Sequence, residues 1–260
     1  PNILRRLSYP ALLFSCGLLA LVLVVGREIN GARSWFDVGP FSFQPSELAK
    51  VALLLALARL AADYPHAVTN RKGFALILLL AASVCALVLL GRDFGTTAVI
   101  FAAVLSFLFI AGAKMRYIFT LFFGAGFAGA LFVLNEPYRL QRILAFLDPE
   151  KHAATGGYHV VRALIALGSG GLFGRGFSHS REKYFYLPTP HTDSIFAVAG
   201  EELGLIACLF IVACFFIIGW RGFRIAVSHP DRFAALSAAG LTSLILIQAA
   251  ANIFVILGLI

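Results

Sequence analysis

Long apolar runs separated by short polar connections dominate the chain. Seven runs approach the roughly 20 residues that cross a bilayer as a helix. They are 8–26, 45–62, 73–91, 95–113, 116–134, 195–220 and 235–258. Backbone groups in lipid must bond within their own segment, so each run is predicted to be helical. Pro45 at a first helical position and Glu47 in the first turn mark the start of the second run. The fifth carries Gly124, Ala125, Gly126, Ala128, Gly129 and Ala130. Small residues at such spacing let helices approach closely. Between the fifth and sixth runs lies a segment of about 60 residues, 135–194, far beyond an ordinary connection. The pattern predicts an all-α polytopic membrane protein with about seven transmembrane helices.

Composition sharpens this. Of 260 residues, 60% are hydrophobic and 13% charged. A soluble domain averages about 45–50% and about 25%. The mean hydropathy is +0.89. A disordered chain, a disulfide scaffold and an ordinary soluble enzyme are excluded. Cys16, Cys85, Cys208 and Cys214 all sit in apolar runs without metal-ligand spacing and read as small packing residues. The chain starts at Pro1 rather than Met and stops at Ile260 directly after an apolar run, so it is expected to be cut at both ends.

The net charge of +8 matters less than its placement. With the first residues cytoplasmic, the inner side holds Arg5, Arg6, Arg59, Arg71, Lys72, Lys114, Arg116, Arg221, Arg224 and Arg232. The short outer connections then hold only Arg27, Arg33 and Arg92. This bias predicts a cytoplasmic start and an extracytoplasmic 135–194. Of the carboxylates only Asp63 and Asp231 fall inside, so chemistry is expected at the outer face.

Ionisable groups within spans are expensive and usually functional. Glu47 and Lys50, three apart, form a local ion pair or a polar wall of a cavity. Glu201 and Glu202 are adjacent and cannot share a helix face, so at least one faces a cavity or another span. Gln248 and Asn252, four apart, are placed to hydrogen-bond between helices. Asp93, in Gly91-Arg92-Asp93-Phe94-Gly95-Thr96-Thr97, caps the next helix or binds a cation or hydroxyl.

The long segment carries many aromatic and basic side chains, and 158–167 reads as a short amphipathic helix. The glycines that follow, Gly168, Gly170, Gly171, Gly174 and Gly176, have neither dinucleotide nor Walker spacing. They serve turns or the close approach of a ligand. Pro188 and Pro190 then fix the entry to the sixth span through His191-Thr192-Asp193-Ser194. Thr192 or Asp193 caps that helix, or Asp193 serves as ligand of a cation or a sugar hydroxyl.

These segments together resemble the SEDS family, whose members include FtsW, RodA and SpoVE. The matching stretches are Asn30-Gly31-Ala32-Arg33-Ser34-Trp35, Phe43-Gln44-Pro45-Ser46-Glu47-Leu48-Ala49-Lys50 and Asp93-Phe94-Gly95-Thr96. Gly168 to Gly174, Leu187-Pro188, His191-Thr192-Asp193 and Glu201-Glu202-Leu203-Gly204 complete them. The resemblance covers essentially all 260 residues as one partial membrane domain. Pro137-Tyr138-Arg139 and Lys183-Tyr184-Phe185-Tyr186-Leu187 lean toward the division and sporulation branch, nearest FtsW. The family usually has Gln-Pro before the turn aspartate, where Gly91-Arg92 stand here.

The resemblance implies a ten-span fold, of which this chain would hold the third to the ninth spans. It implies a peptidoglycan glycosyltransferase that polymerises lipid II into glycan strands, with inversion, at the outer face of the bacterial cytoplasmic membrane. Asp193 is the implied catalytic base. Arg33 and Lys50 are candidates for the pyrophosphate, with Trp35, Glu47, Asp93, His191 and Thr192 as further substrate contacts. Gln44, Pro45, Gly95, Thr96, Pro188 and the loop glycines would shape the site. A divalent cation, Mg or Mn, held by Asp193 or Asp93, is the implied cofactor, and no organic cofactor or nucleic acid is implied. A class B penicillin-binding protein and other division or elongation machinery are the implied partners, with membrane lipid around the spans. The rival readings are a lipid II flippase and a non-catalytic scaffold of the division machinery.

Overall fold

A computed structural model describes residues 2–29, 31–38, 41–134, 158–180, 182 and 194–259. Helices stand at all seven predicted spans: α1 (Asn2–Val25), α2 (Pro45–Asp63), α3 (Arg71–Leu90), α4 (Phe94–Ile110), α5 (Met115–Leu134), α7 (Ile195–Ser228) and α8 (Arg232–Ile256). A further helix, α6 (Tyr158–Gly170), covers the predicted amphipathic stretch. Among the described helices α1, α3, α7 and α8 are long and apolar enough to cross a bilayer. The chain is a multi-pass membrane protein.

Three short strands are not anticipated by the hydropathy pattern. β1 (Arg27–Ile29), β2 (Ala32–Val38) and β3 (Phe41–Phe43) form an antiparallel sheet in that order. Ile29 pairs with Ala32, and Asn30-Gly31 is the sequence between them, with Gly31 at φ 81°. Asn-Gly is the strongest short hairpin signal a sequence carries, because both residue types tolerate the left-handed region. The apolar runs on either side overshadow that signal.

The chain folds as two compact units. The first comprises Pro1–Phe122 and Gly219–Ile247. Its centre is α2, where Ala49, Ala52 to Ala58, Leu60 and Ala61 are buried almost without interruption. A helix buried all round needs apolar residues on every face rather than one stripe, and α2 has them. Around it pack Leu12 and Leu19 of α1, Ile77, Val84 and Val88 of α3, Ile100 and Phe107 of α4, and Phe233 and Leu244 of α8. At the end of α2, Asp63 pairs with Arg5 of α1 and, at 3.5 Å, with Arg59. Arg59 also lies over the Tyr9 ring at 4.4 Å and donates to the Arg5 carbonyl at 2.8 Å.

The second unit comprises Phe123–Ile218 and Gln248–Ile260. Its apolar centre is Ala163 and Ala166 of α6, Ala197 and Val198 of α7, and Ile256 of α8. The small residues of α5 have open space beside them among the described residues. A Cβ built on Gly124, Gly126 or Gly129 meets nothing within 4 Å, so among the described residues no helix closes on them.

Candidate functional site

In the first unit the site residues gather where α1, the sheet and the α3–α4 turn meet. The turn is held by backbone bonds, and the Arg33 N–H donates to the Gly91 carbonyl at 2.9 Å. A Cβ on Gly91 would stand 2.8 Å from the Arg33 carbonyl oxygen. Close docking of β2 on the turn therefore explains why this chain carries glycine there. Arg92 follows at φ 61°, a conformation non-glycine residues seldom adopt. Arg33, Arg92 and Glu28 line an open cavity of about 380 Å³ with Leu23, Leu90 and Gly91. Arg33 pairs with Glu28 at 3.4 Å, both exposed. Trp35, half-buried, lies opposite Arg27 in the sheet.

Asp93 is the N-cap of α4. Its Oδ1 accepts from the Thr96 N–H at 3.0 Å, and its Oδ2 accepts from Gln44 Nε2 at 2.8 Å. The second bond ties the start of α4 to the residue that precedes α2, where Pro45 and Ser46 are buried. Gly95 has open space at its Cβ position. Both carboxylate oxygens of Asp93 thus have donors, and among the described residues no group of three or more His, Cys, Asp or Glu could hold a metal ion. Replacing Asp93 with Ala removes a cap and a long-range hydrogen bond, and should lower stability by about 1–2 kcal/mol. Thermal unfolding in detergent reads this, and Asp93→Asn, which keeps an acceptor oxygen, should lose less.

Lys50 is 3% exposed and donates to Glu47 Oε1 at 2.8 Å, whereas the Glu47 side chain is 48% exposed. The ammonium stem passes among Leu53, Leu54, Ile100, Val104 and Leu244. The Lys50 ammonium is thus withdrawn from solvent while its Glu47 partner stays half-exposed.

The second unit contains the arrangement least visible in the sequence. At Gly204 (φ 83°, ψ −177°) helix α7 is broken. In an unbroken helix the N–H groups of Leu205 and Ile206 would donate to the carbonyls of Glu201 and Glu202. Here they donate to Gly171 and Leu172, at 3.0 and 3.3 Å. The freed carbonyls of Glu201 and Glu202 accept from the N–H groups of Arg175 and Gly176, at 2.9 and 3.0 Å. The glycine loop is thus stitched into the break by four backbone bonds that satisfy these exposed groups. Glycine is required on both sides of the seam. A Cβ on Gly170 would lie 2.0 Å from the Gly200 carbonyl oxygen, and one on Gly174 2.2 Å from that of Glu202. Gly168 and Gly171 have open space at the same position.

Side chains reinforce the seam. Glu201, 0% exposed, accepts from Ser180 Oγ at 2.6 Å and lies 3.5 Å from Arg175 Nη1. Arg175 Nε also donates to the Ser169 carbonyl at 3.2 Å. Glu202 is buried beside it. Glu182 lies 3.6 Å from Arg162 Nη1. Burial pushes the Glu182 carboxyl above its ordinary value, and nearby Glu201 adds to this, while Arg162 and Arg175 oppose it. A raised folded value means that the proton is held more tightly in the folded state. The stability this contributes is present below the unfolded value and is lost as pH rises through the folded one. Glu182→Gln should remove that dependence, seen by comparing melting temperatures at pH 5 and pH 8. Neither Arg162 nor Ser180 stands out in the sequence, because their partners lie 20 and 21 positions away.

His191, Thr192, Asp193 and Pro188 lie outside the described residues. The next residue, Ser194, is fully buried, and its carbonyl accepts from the Val198 N–H at 3.1 Å. Gln248 is exposed on α8, with Asn252 half-buried one turn on.

The FtsW/RodA/SpoVE profile, described as a cell cycle protein, matches residues 1–260. The chain belongs to the FtsW/RodA/SpoVE family. It is 41% identical over 248 residues to stage V sporulation protein E of Bacillus subtilis, covering 94% of this chain and 67% of that protein. It is 39% identical over 262 residues to the probable peptidoglycan glycosyltransferase FtsW of Legionella pneumophila, covering 98% and 66%. The chain thus spans about two thirds of the length of these relatives. Among solved structures it is similar to a chain of a peptidoglycan synthase complex studied for its coordination of polymerization and crosslinking. That match has a TM-score of 0.82 at 33% identity, covering 100% of this chain and 73% of the other. The rod shape determining protein RodA of Thermus thermophilus matches with a TM-score of 0.68 at 32% identity, covering 98% and 67%. In this FtsW/RodA/SpoVE member, then, the stitched α7 break and the Asp93 cap sit in a fold shared with solved relatives.

Proposed function

We propose that the chain is the greater part of a peptidoglycan glycosyltransferase that polymerises lipid II at the outer face of the bacterial cytoplasmic membrane. The observation that carries this reading is the family match over residues 1–260, joined to relatives named as probable peptidoglycan glycosyltransferases. In the proposed reaction the 4-hydroxyl of an acceptor sugar attacks the anomeric carbon of a lipid-linked donor. The bond to the undecaprenyl pyrophosphate breaks, the configuration inverts, and the hydroxyl proton passes to Asp193. Such a reaction needs a carboxylate near the acceptor hydroxyl to take its proton, and Asp193 is the residue proposed for it. Arg33 and Lys50 are the cations proposed for the charge growing on the pyrophosphate. Trp35 is proposed to stack on a sugar or to hold its strand. A divalent cation, Mg or Mn, would supply further positive charge, and its candidate ligands on this chain are Asp193 and Asp93. The lipid tail stays between helices while the sugars meet outside the bilayer.

The partner proposed for the glycan strand is a class B penicillin-binding protein, supported by the similarity to a peptidoglycan synthase complex. The deciding experiment is polymerisation of labelled lipid II by the complete protein with that partner, with and without chelator. Glycan strands on a gel are the expected result. Translocation of lipid II across proteoliposomes without polymer would replace this reading with a flippase.

A further inference from the structure

The cavity of about 380 Å³ beside the α3–α4 turn holds an arginine with no part in the proposed reaction. Arg92 stands on the turn and Arg33 on β2, and both line the cavity, exposed. Arg33 has a partner in Glu28, the one carboxylate in the described lining. Among the described residues Arg92 forms no ion pair. Two guanidinium groups against one carboxylate leave positive charge over, and an anion with several oxygens is the ligand that takes it. Arg92 is also held at φ 61°, a conformation costly for any residue but glycine. The turn fixes it there: the Arg92 N–H donates to the Leu89 carbonyl at 2.9 Å and the Asp93 N–H to that of Val88 at 3.3 Å. Those backbone bonds need no arginine side chain, and glycine would make them without strain.

The rest of the lining fixes the depth of the cavity. Leu23 belongs to the last turn of α1 and Leu90 ends α3, and both helices are long and apolar enough to cross a bilayer. The cavity therefore opens where two spans end, with leucines on one part of its wall and guanidinium groups on another. A phosphate joined to a hydrocarbon chain carries its charge at that level, whereas a soluble anion gains nothing from the leucines. Each guanidinium can grip one phosphate through two parallel hydrogen bonds. Two of them match a diphosphate better than the single phosphate of a phospholipid.

We propose that Arg92, together with Arg33, binds the diphosphate of the lipid-linked sugar donor, and that this cavity is the donor's diphosphate subsite. The assignment takes its ligand from the polymerase reading and rests on it. It is tested on the complete protein with its partner, in neutral detergent, by binding of undecaprenyl diphosphate and by polymerisation of lipid II. Undecaprenol, phosphatidylglycerol and inorganic diphosphate are the comparison probes. Undecaprenyl diphosphate should bind saturably and more tightly than all three. Arg92→Gln should weaken that binding about tenfold, which is ~1.4 kcal/mol and in the range of a hydrogen bond to a charged group. The lipid II concentration for half-maximal polymerisation should rise in proportion. Arg92→Gly should weaken binding as much yet melt no lower than the parent, which separates a ligand contact from a structural one. Arg92→Lys should keep more of the affinity than either. Glu28→Gln, which releases Arg33 from its exposed pair, should tighten binding by about two- to fivefold. Arg116→Gln, a cation outside this cavity, should change nothing. Unchanged affinity in Arg92→Gln and Arg92→Gly overturns the proposal, and so does equal binding of phosphatidylglycerol or inorganic diphosphate. A parent that binds undecaprenyl diphosphate through Arg92 yet makes no glycan overturns the polymerase reading and upholds the subsite. Glycan formation with binding indifferent to Arg92 does the reverse.

Discussion

Asp193→Asn should insert and melt as the parent does, yet form glycan from lipid II at least ~100-fold more slowly. A positioned general base contributes about 10²–10⁴-fold, and an amide of the same shape cannot take the acceptor proton. The change is nearly isosteric, and the buried, hydrogen-bonded Ser194 beside it is untouched. A fold defect is therefore separable from a chemical one. Lipid II binding, measured apart from turnover, should be nearly retained. The variant also separates the rival readings. A flippase would still move lipid II across proteoliposomes, and a scaffold would still support growth with Asp193→Ala. Full polymerisation by Asp193→Asn with its partner would remove the base assignment.

What the sequence discloses follows from the range of the interaction involved. The helices are legible because lipid forces apolar runs to bond internally, and that constraint is local. The Asp93 cap is open to reading because it joins Asp93 to Thr96 within one turn. Its second bond, to Gln44, spans 49 positions and leaves no trace in either segment. The sheet escapes the hydropathy pattern although Asn30-Gly31 announces its first turn. The α5 glycines permit close packing, but whether a neighbour uses the space is settled by other segments, not by α5 itself. The glycine loop reads as turn-making or ligand-facing; it does make turns, with Gly171, Gly174 and Gly176 at positive φ, and it also docks on α7. Its partners are backbone carbonyls and N–H groups of α7, which carry no side-chain signature. The only clue is glycine on both sides, at Gly170 and Gly174 and again at Gly200 and Gly204.

That pairing predicts the largest effect on stability. Gly174→Ala places a Cβ at φ 78° and 2.2 Å from the Glu202 carbonyl oxygen, and Gly204→Ala places one at φ 83° and 2.4 Å from the Gly174 nitrogen. The left-handed conformation alone is worth about 1–2 kcal/mol, and forced overlap in a packed region another ~1–3 kcal/mol. The obstacle is backbone, so no rotamer change relieves it. Relief requires the two segments to part, which would leave the carbonyls of Glu201 and Glu202 and the N–H groups of Leu205 and Ile206 without partners. Each variant should therefore lose about 3 kcal/mol or more, seen as a sharply lower melting temperature and poor yield from membranes. Gly168→Ala is the internal control. It lies in α6 with nothing within 4 Å of its Cβ position, so it should be neutral or stabilise by up to about 1 kcal/mol. Equal melting of all three variants would show that the seam does not hold the second unit together. If the seam does hold it, the loop and the start of α7 lose their shared anchor when it fails. Polymerisation should then fall with stability, at temperatures where Gly168→Ala still works.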